Sequence, residues 1–205
     1  MDTQEKFEMI LSNLANTFLT NALETPQRIL PVAEKIAKEA QEIVLNDVDS
    51  EAITFMAKKL LQMMDRSLFL VDTFAKGVAK NDYSALREEN LIAQLDQVVG
   101  QSENEDRLVD LLTESISSNH AKGISLEKIY YENYLVEYVA SLMEISAIQQ
   151  LAEKKELLTE LKPVIENPEN EFPYDVFHHI TGNFKKDFAS KYYPYETVVQ
   201  IMETE

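Results

Sequence analysis

A chain of 205 residues with 36 acidic and 19 basic side chains carries a formal charge of −17 and contains no cysteine. The length suits one domain, or a domain with a small appendage, able to bury about 70 % of its unfolded surface without staples. The absent thiols exclude disulfides, thiolate zinc sites, Fe–S clusters and cysteine nucleophiles, and the charge repels phosphate backbones and anionic lipid, which argues against direct nucleic-acid or membrane binding.

Four glycines and six prolines leave long stretches of helical period between few breaks. The expected fold is all-α: an irregular bundle of seven or eight helices with long central helices and a short-helix aromatic C-terminal cap. Asp2 and Glu5 have capping-box spacing, and Phe7, Ile10, Leu11, Leu14, Phe18 and Ala22 then recur at steps of three and four to about Leu23. Thr25 and Pro26 stop this helix and suit the start of the next, which should run to about Leu45 with Ile29, Ile36, Ala40 and Val44 inward. Pro31 either bends it or marks its true start. Asp49 or Ser50 caps a third helix, with Ile53, Met56, Leu60, Met64, Leu68, Val71, Phe74 and Val78 expected inward.

Asn81 and Asp82 break the period, and a segment from about Ser84 to Val99 follows, closed by Gly100. Ser102 with Glu105 repeats the capping box ahead of a helix through Leu108, Leu112 and Ile116, and "SSNHAKG" reads as a loop. With Ser125 as N-cap and Ile124 and Ile129 as a staple, the stripe Leu135, Val139, Leu142, Ile145, Ile148, Leu151, Leu158, Leu161, Ile165 leads to "ENPENEFP". Unbroken, that segment would reach roughly 60 Å at 1.5 Å per residue; otherwise it breaks near Lys154 and Lys155. From 172 on, eight of the eighteen aromatics crowd into short segments begun by Pro173 and Pro194. The division expected is residues 1–166 as helical bundle and 167–205 as a short-helix segment packed on it, within one domain overall.

Motifs for chemistry are sparse. Gly77, Gly100, Gly123 and Gly182 stand too far apart to cradle a phosphate, and no Gly-x-Ser-x-Gly elbow occurs. Acid pairs one helical turn apart, such as Glu103 with Asp106, Glu153 with Glu156 and Glu166 with Glu169, could hold magnesium or manganese. There are six such pairs, and 36 acids among 205 positions give about six by chance. His178 and His179, in "DVFHHITGNF", are adjacent rather than spaced as His-x-x-x-His, so one helix face offers Asp175 with His179 but not both imidazoles. His120 falls in the expected loop. No cofactor, no metal site and no catalytic residue set is called for.

Two surfaces stand out instead. Glu103, Asp106, Asp110 and Glu114 form an acidic stripe opposite Leu108 and Leu112, within a stretch from Asp82 to Glu114 holding nine acids and two bases. Tyr130, Tyr134 and Tyr138 line up at helical spacing, while Phe177, Phe184, Tyr192 and Tyr193 lie in the aromatic C-terminal region, and tyrosine suits interfaces with one end buried and one wet. The expectation is a cytoplasmic, non-enzymatic acidic helical protein that acts through a protein partner the sequence does not identify, a basic one being among the candidates. Two alternatives stand beside it: an acidic inhibitor that mimics nucleic acid and blocks a basic protein, and a carboxylate-based metal-dependent helical enzyme. The start of the chain lacks a basic leader followed by an apolar run, and no apolar run approaches the roughly 18 residues of a membrane span. The long apolar stripes are compatible with a homo-oligomer.

Overall fold

The computed structural model describes residues 1–24, 26–95, 105–167, 169 and 174–205. All regular structure among them is helical: α1 (Thr3–Glu24), α2 (Pro26–Asn46), α3 (Asp49–Lys80), a 3-10 turn (Ser84–Leu86), α4 (Glu88–Leu95), α5 (Glu105–Ala121), α6 (Leu126–Ala152), α7 (Lys155–Ile165), α8 (Tyr174–Lys185), α9 (Phe188–Tyr192) and α10 (Tyr195–Thr204). The all-α bundle expected from the periodicity is thus present. Counting the five-residue α9 and both parts of the long segment raises the described helices to ten. No described helix is long and apolar enough to cross a membrane.

Helix ends follow local chemistry. The capping box at the start of α1 is formed in both directions: the Glu5 amide donates to Asp2 Oδ1 at 2.8 Å and the Asp2 amide donates to Glu5 Oε2 at 2.9 Å. At the end of α3, Asn81 adopts a left-handed φ of 51° while its amide donates to Val78 O and the Asp82 amide to Gly77 O. That pair of bonds is a Schellman stop, with asparagine standing where glycine is usual. Gly123, at φ 91°, ends α5 the same way, its amide reaching His120 O and that of Ile124 reaching Asn119 O. Ser125 Oγ accepts from the Lys128 amide and opens α6. The long segment breaks at Lys154, whose amide returns to Leu151 O, so α6 and α7 are separate helices. Pro31 neither starts nor ends α2 but lies inside it.

The buried faces correct the expected ones in two helices. In α3, Met64 and Leu68 are exposed, at 41 % and 59 %, and Leu61, Met63 and Leu70 are buried in their place. Three successive steps of four residues, from Met56 to Leu68, turn a face by about 120° at 100° per residue, and the inward stripe must insert steps of three to stay put. In α5, Val109 and Ile116 are buried while Leu108 and Leu112 are half-buried. The expected closure at Gly100 and the capping box at Ser102 lie outside the described residues.

The chain forms two compact units. The first comprises Met1–Asn21, Arg66–Val98 and Ala140–Lys186. Its core gathers Phe7 and Leu11 from α1, Leu70, Phe74 and Val78 from α3, Ile145, Ile148 and Leu151 from α6, Leu158 and Leu161 from α7, and Val176 and Phe177 from α8. Phe7, Phe74 and Phe177 form a closed trio with ring centroids 5.9 to 6.1 Å apart, each ring meeting the other two. Burying a ring of this kind contributes about 1.5–3 kcal/mol, and each aromatic pair roughly 0.5–1.5 kcal/mol more. Gly77 stands in a close approach: a Cβ there would lie 3.1 Å from Asp82 O and 3.2 Å from the Leu86 side chain, so these neighbours would have to give by a few tenths of an ångström.

The second unit comprises Ala22–Asp65, Val99–Val139 and Asp187–Glu205. Its α2 buries Ile29, Ala33, Ile36, Ala37, Ala40 and Ile43, a narrow face rich in alanine, and α10 packs on α2. Tyrosine replaces phenylalanine as the large core ring. Tyr130 and Tyr131 are fully buried. The Tyr131 hydroxyl donates to Tyr193 O at 2.6 Å, its ring lies 5.3 Å from that of Tyr195, and Phe188 packs against Tyr193. At the rim, Lys128 bonds Glu196 at 2.6 Å, and each raises the other's preference for its charged form.

Candidate functional site

In the first unit, α1 and α8 flank a groove of about 650 Å³. One wall is the first three turns of α1, with Gln4, Glu5, Glu8, Met9 and Ser12; the other is the start of α8, with Asp175, Val176, His179 and Ile180. The helical period places these residues together: Gln4, Glu8 and Ser12 step by four along α1, as do Asp175 with His179 and Val176 with Ile180 along α8. The same period turns Phe7 and Phe177 into the core, so the phenylalanine trio holds both walls in place.

Three carboxylates enter this groove. Glu5 is held by the capping box and lies 3.9 Å from the Met1 ammonium, while Glu8 accepts from the Gln4 side-chain amide at 3.2 Å and Asp175 stands exposed in the first turn of α8. Lys6, the cation nearest in sequence, is tied elsewhere, its ammonium bonded to both oxygens of Glu160 at 3.1 and 3.2 Å. Met9, 48 % exposed, and the half-buried Ile180 supply apolar surface between the acids. The groove therefore favours a ligand that is cationic and apolar at once. Asp175 and His179 were legible as a shared helix face; Glu5 and Glu8 were not singled out, although their spacing of three was visible.

The histidines make ordinary contacts. His179 Nε2 lies 3.4 Å from the Asn183 amide, His178 is exposed, and His120 Nδ1 lies 3.1 Å from Ile124 O at the end of α5. Glu153 and Glu156 sit on either side of the break at Lys154, which removes them from one continuous helix face. Among the described residues no group of three or more His, Asp or Glu side chains is placed to hold a metal ion.

On α5 of the second unit, Asp106, Asp110 and Glu114 are all exposed, flanking the buried line of Val109 and Ile116 rather than lying opposite it. Leu111, in their midst along the helix, is 53 % exposed. Glu103, the remaining acid of the stripe, lies outside the described residues. Glu105 also raises the carboxyl of Asp65, which burial already pushes upward, and Asp65 Oδ2 is enclosed with no hydrogen bond among the described residues.

The aromatic candidates divide between the units. Phe177, in the first, and Tyr130 and Tyr193, in the second, are buried within the chain; Tyr134, Tyr138 and Phe184 are half-buried, and Tyr192 is exposed. Tyr130 and Tyr134 stack at 5.3 Å on one face of α6. Burial, with the charge of Glu39 adding to it, holds the Tyr130 hydroxyl protonated far above its ordinary range. Tyr174, on α8 of the first unit, donates to Asp72 at 3.1 Å and is pushed up to about 12 by burial first and by that carboxylate second.

One buried polar pair was not read from the sequence. Glu144 of α6 is only 2 % exposed, and Ser67 Oγ of α3 lies 2.6 and 2.7 Å from its two oxygens. One hydroxyl proton serves one oxygen at a time, and a charge-assisted bond of this kind is short and strong. A serine facing inward from an otherwise apolar stripe was the available signal. Comparison of the chain with protein-family models, with curated proteins and with solved structures finds no match.

Proposed function

We propose that this chain is a non-enzymatic, cytoplasmic interaction protein whose partner is a basic protein. The observation that carries the reading is the outer face of α5, where Asp106, Asp110 and Glu114 are exposed in one line, with exposed Leu111 beside Glu114 and Arg107 the base next to them. An apolar anchor beside a mainly anionic stripe is an arrangement by which interfaces combine desolvation with steering. The overall charge of −17 supports the same reading, since it draws cationic surfaces in and keeps anionic ones away. The absence of cysteine suits a reducing compartment.

The immobilised protein, exposed to native extract, is expected to retain a basic protein at about 0.05 M salt and to release most of it by about 0.3 M, as screening shortens the reach of the field. Reversing Asp106 and Asp110 to lysine should lower that retention. A preparation that retains no macromolecule and turns over a small substrate would overturn the reading.

A further inference from the structure

We propose that the groove between α1 and α8 takes a basic amphipathic helix from another protein, a second contact distinct from the α5 face; it rests on the reading that the partner is basic. Three features of the groove carry this. Its volume, about 650 Å³, gives room for a few side chains and not a whole surface. Its walls join apolar surface, from Met9, Val176 and Ile180, to the carboxylates of Glu5, Glu8 and Asp175, with no lysine or arginine among the lining residues. Its frame is rigid, because Phe7 and Phe177, one residue before Glu8 and two after Asp175, meet in the core with ring centroids 6.1 Å apart.

The chemistry selects the occupant. An anionic peptide meets three like charges, and a purely apolar one leaves them facing it in a drier environment, which carries a desolvation penalty. A segment with lysine or arginine at i and i+4 and leucine at i+3 and i+7 places cations against Glu8 and Asp175 while its apolar side chains reach Met9 and Ile180. The walls are two helices and offer no strand edge to pair with, so a helix laid in the groove is the mode that remains. The single methionine in the wall is the adaptable element, able to shift rotamer to fit different apolar side chains.

Binding of a fluorescent amphipathic Lys/Leu peptide of about four helical turns to the full chain, measured by polarisation at low salt, tests this. The Glu8→Lys, Asp175→Lys double variant should weaken it by at least about tenfold, the loss of two favourable charge contacts and the gain of two repulsive ones. Both positions are exposed, and circular dichroism verifies that the variant is folded. Glu42→Lys, Glu203→Lys changes the net charge equally but at exposed positions on α2 and α10, outside both the groove and the α5 face, and should leave the peptide affinity within about twofold. Equal losses from both pairs would overturn the groove while leaving a basic partner intact as the function. A peptide of the same composition with its amphipathic order scrambled should bind at least about tenfold more weakly, and equal binding would overturn the helical occupant. If the intact chain does not bind the ordered peptide saturably, the groove proposal falls whatever the extract experiment on α5 gives.

Discussion

The two units fill their interiors by different chemistry. The first is built around phenylalanine, whose rings ask only for contact and burial, and Phe7, Phe74 and Phe177 satisfy one another. The second is built around tyrosine, whose hydroxyls must each find a partner or bear the cost of burial without one. Tyr131 has Tyr193 O; the Tyr130 hydroxyl is enclosed and faces the Glu39 carboxylate without a well-formed hydrogen bond to it. The second unit also carries more charge, with 20 acids and 9 bases against 16 and 10 in the first. A phenylalanine core therefore resists changes of shape, and a tyrosine core in a more charged shell is where changes of polarity and pH should register.

The largest effect expected from this contrast is at the phenylalanine trio. Phe74→Ala removes the ring that meets both others and should cost about 3–5 kcal/mol, read from the urea midpoint by circular dichroism. A loss below about 1 kcal/mol would mean that the trio is not a packing unit. The tyrosine core supplies the intermediate case. Tyr131→Phe preserves the ring but strands a buried carbonyl at Tyr193, a cost of about 1–2 kcal/mol, whereas Tyr130→Phe removes a hydroxyl that faces Glu39 without a well-formed bond and should change stability by less than about 0.5 kcal/mol. Similar losses at the two positions would show that Tyr130 has an acceptor after all.

The smallest effect is expected at Asp65. Its carboxyl is raised in the folded chain, by burial first and by Glu105 second, so the native state binds a proton more readily than the unfolded one. Relative stability from this group is therefore fully present below the unfolded value near 3.8 and is lost as pH rises through the folded value. At neutral pH the charge is held at a cost, and Asp65→Asn should raise the urea midpoint at pH 7 and lose that advantage near pH 4. An asparagine variant less stable than the parent at pH 7 would show that the carboxylate is favourably held.

What the sequence made legible was governed by short-range rules. The capping box at Asp2 and Glu5, the stop at Asn81 and the break near Lys154 each depend on a few consecutive residues, and each formed where those residues stand. The faces of long helices were harder to read, because small angular errors accumulate: Met64 and Leu68 continue a plausible stripe yet turn outward. In α6, Val139, Ala140, Ser141, Met143, Glu144, Ile145, Ala147 and Ile148 are buried, a face about 240° wide at 100° per residue that leaves the half-buried Leu142, Ser146 and Gln149 on the remaining side. A helix with so wide a buried face has little polar surface to mark its orientation, so the inward position of Glu144 could not be told from periodicity. Of the groove, only the α8 wall could be anticipated. Glu5 and Glu8 are two acids among 36, and nothing local distinguishes a carboxylate that will face another helix.

The crowding at Gly77 links two positions that sequence alone would treat as independent. A methyl group at 77 presses on the Leu86 side chain and on the backbone at Asp82, so a mutation there should be suppressed in part by trimming residue 86 to valine, and by little else. Gly182, which has nothing within 4 Å of the site of its missing Cβ, imposes no such condition and is free to vary. In any lineage that carries this fold, residues 77 and 86 should accordingly be inherited as a pair, the size permitted at one set by the other.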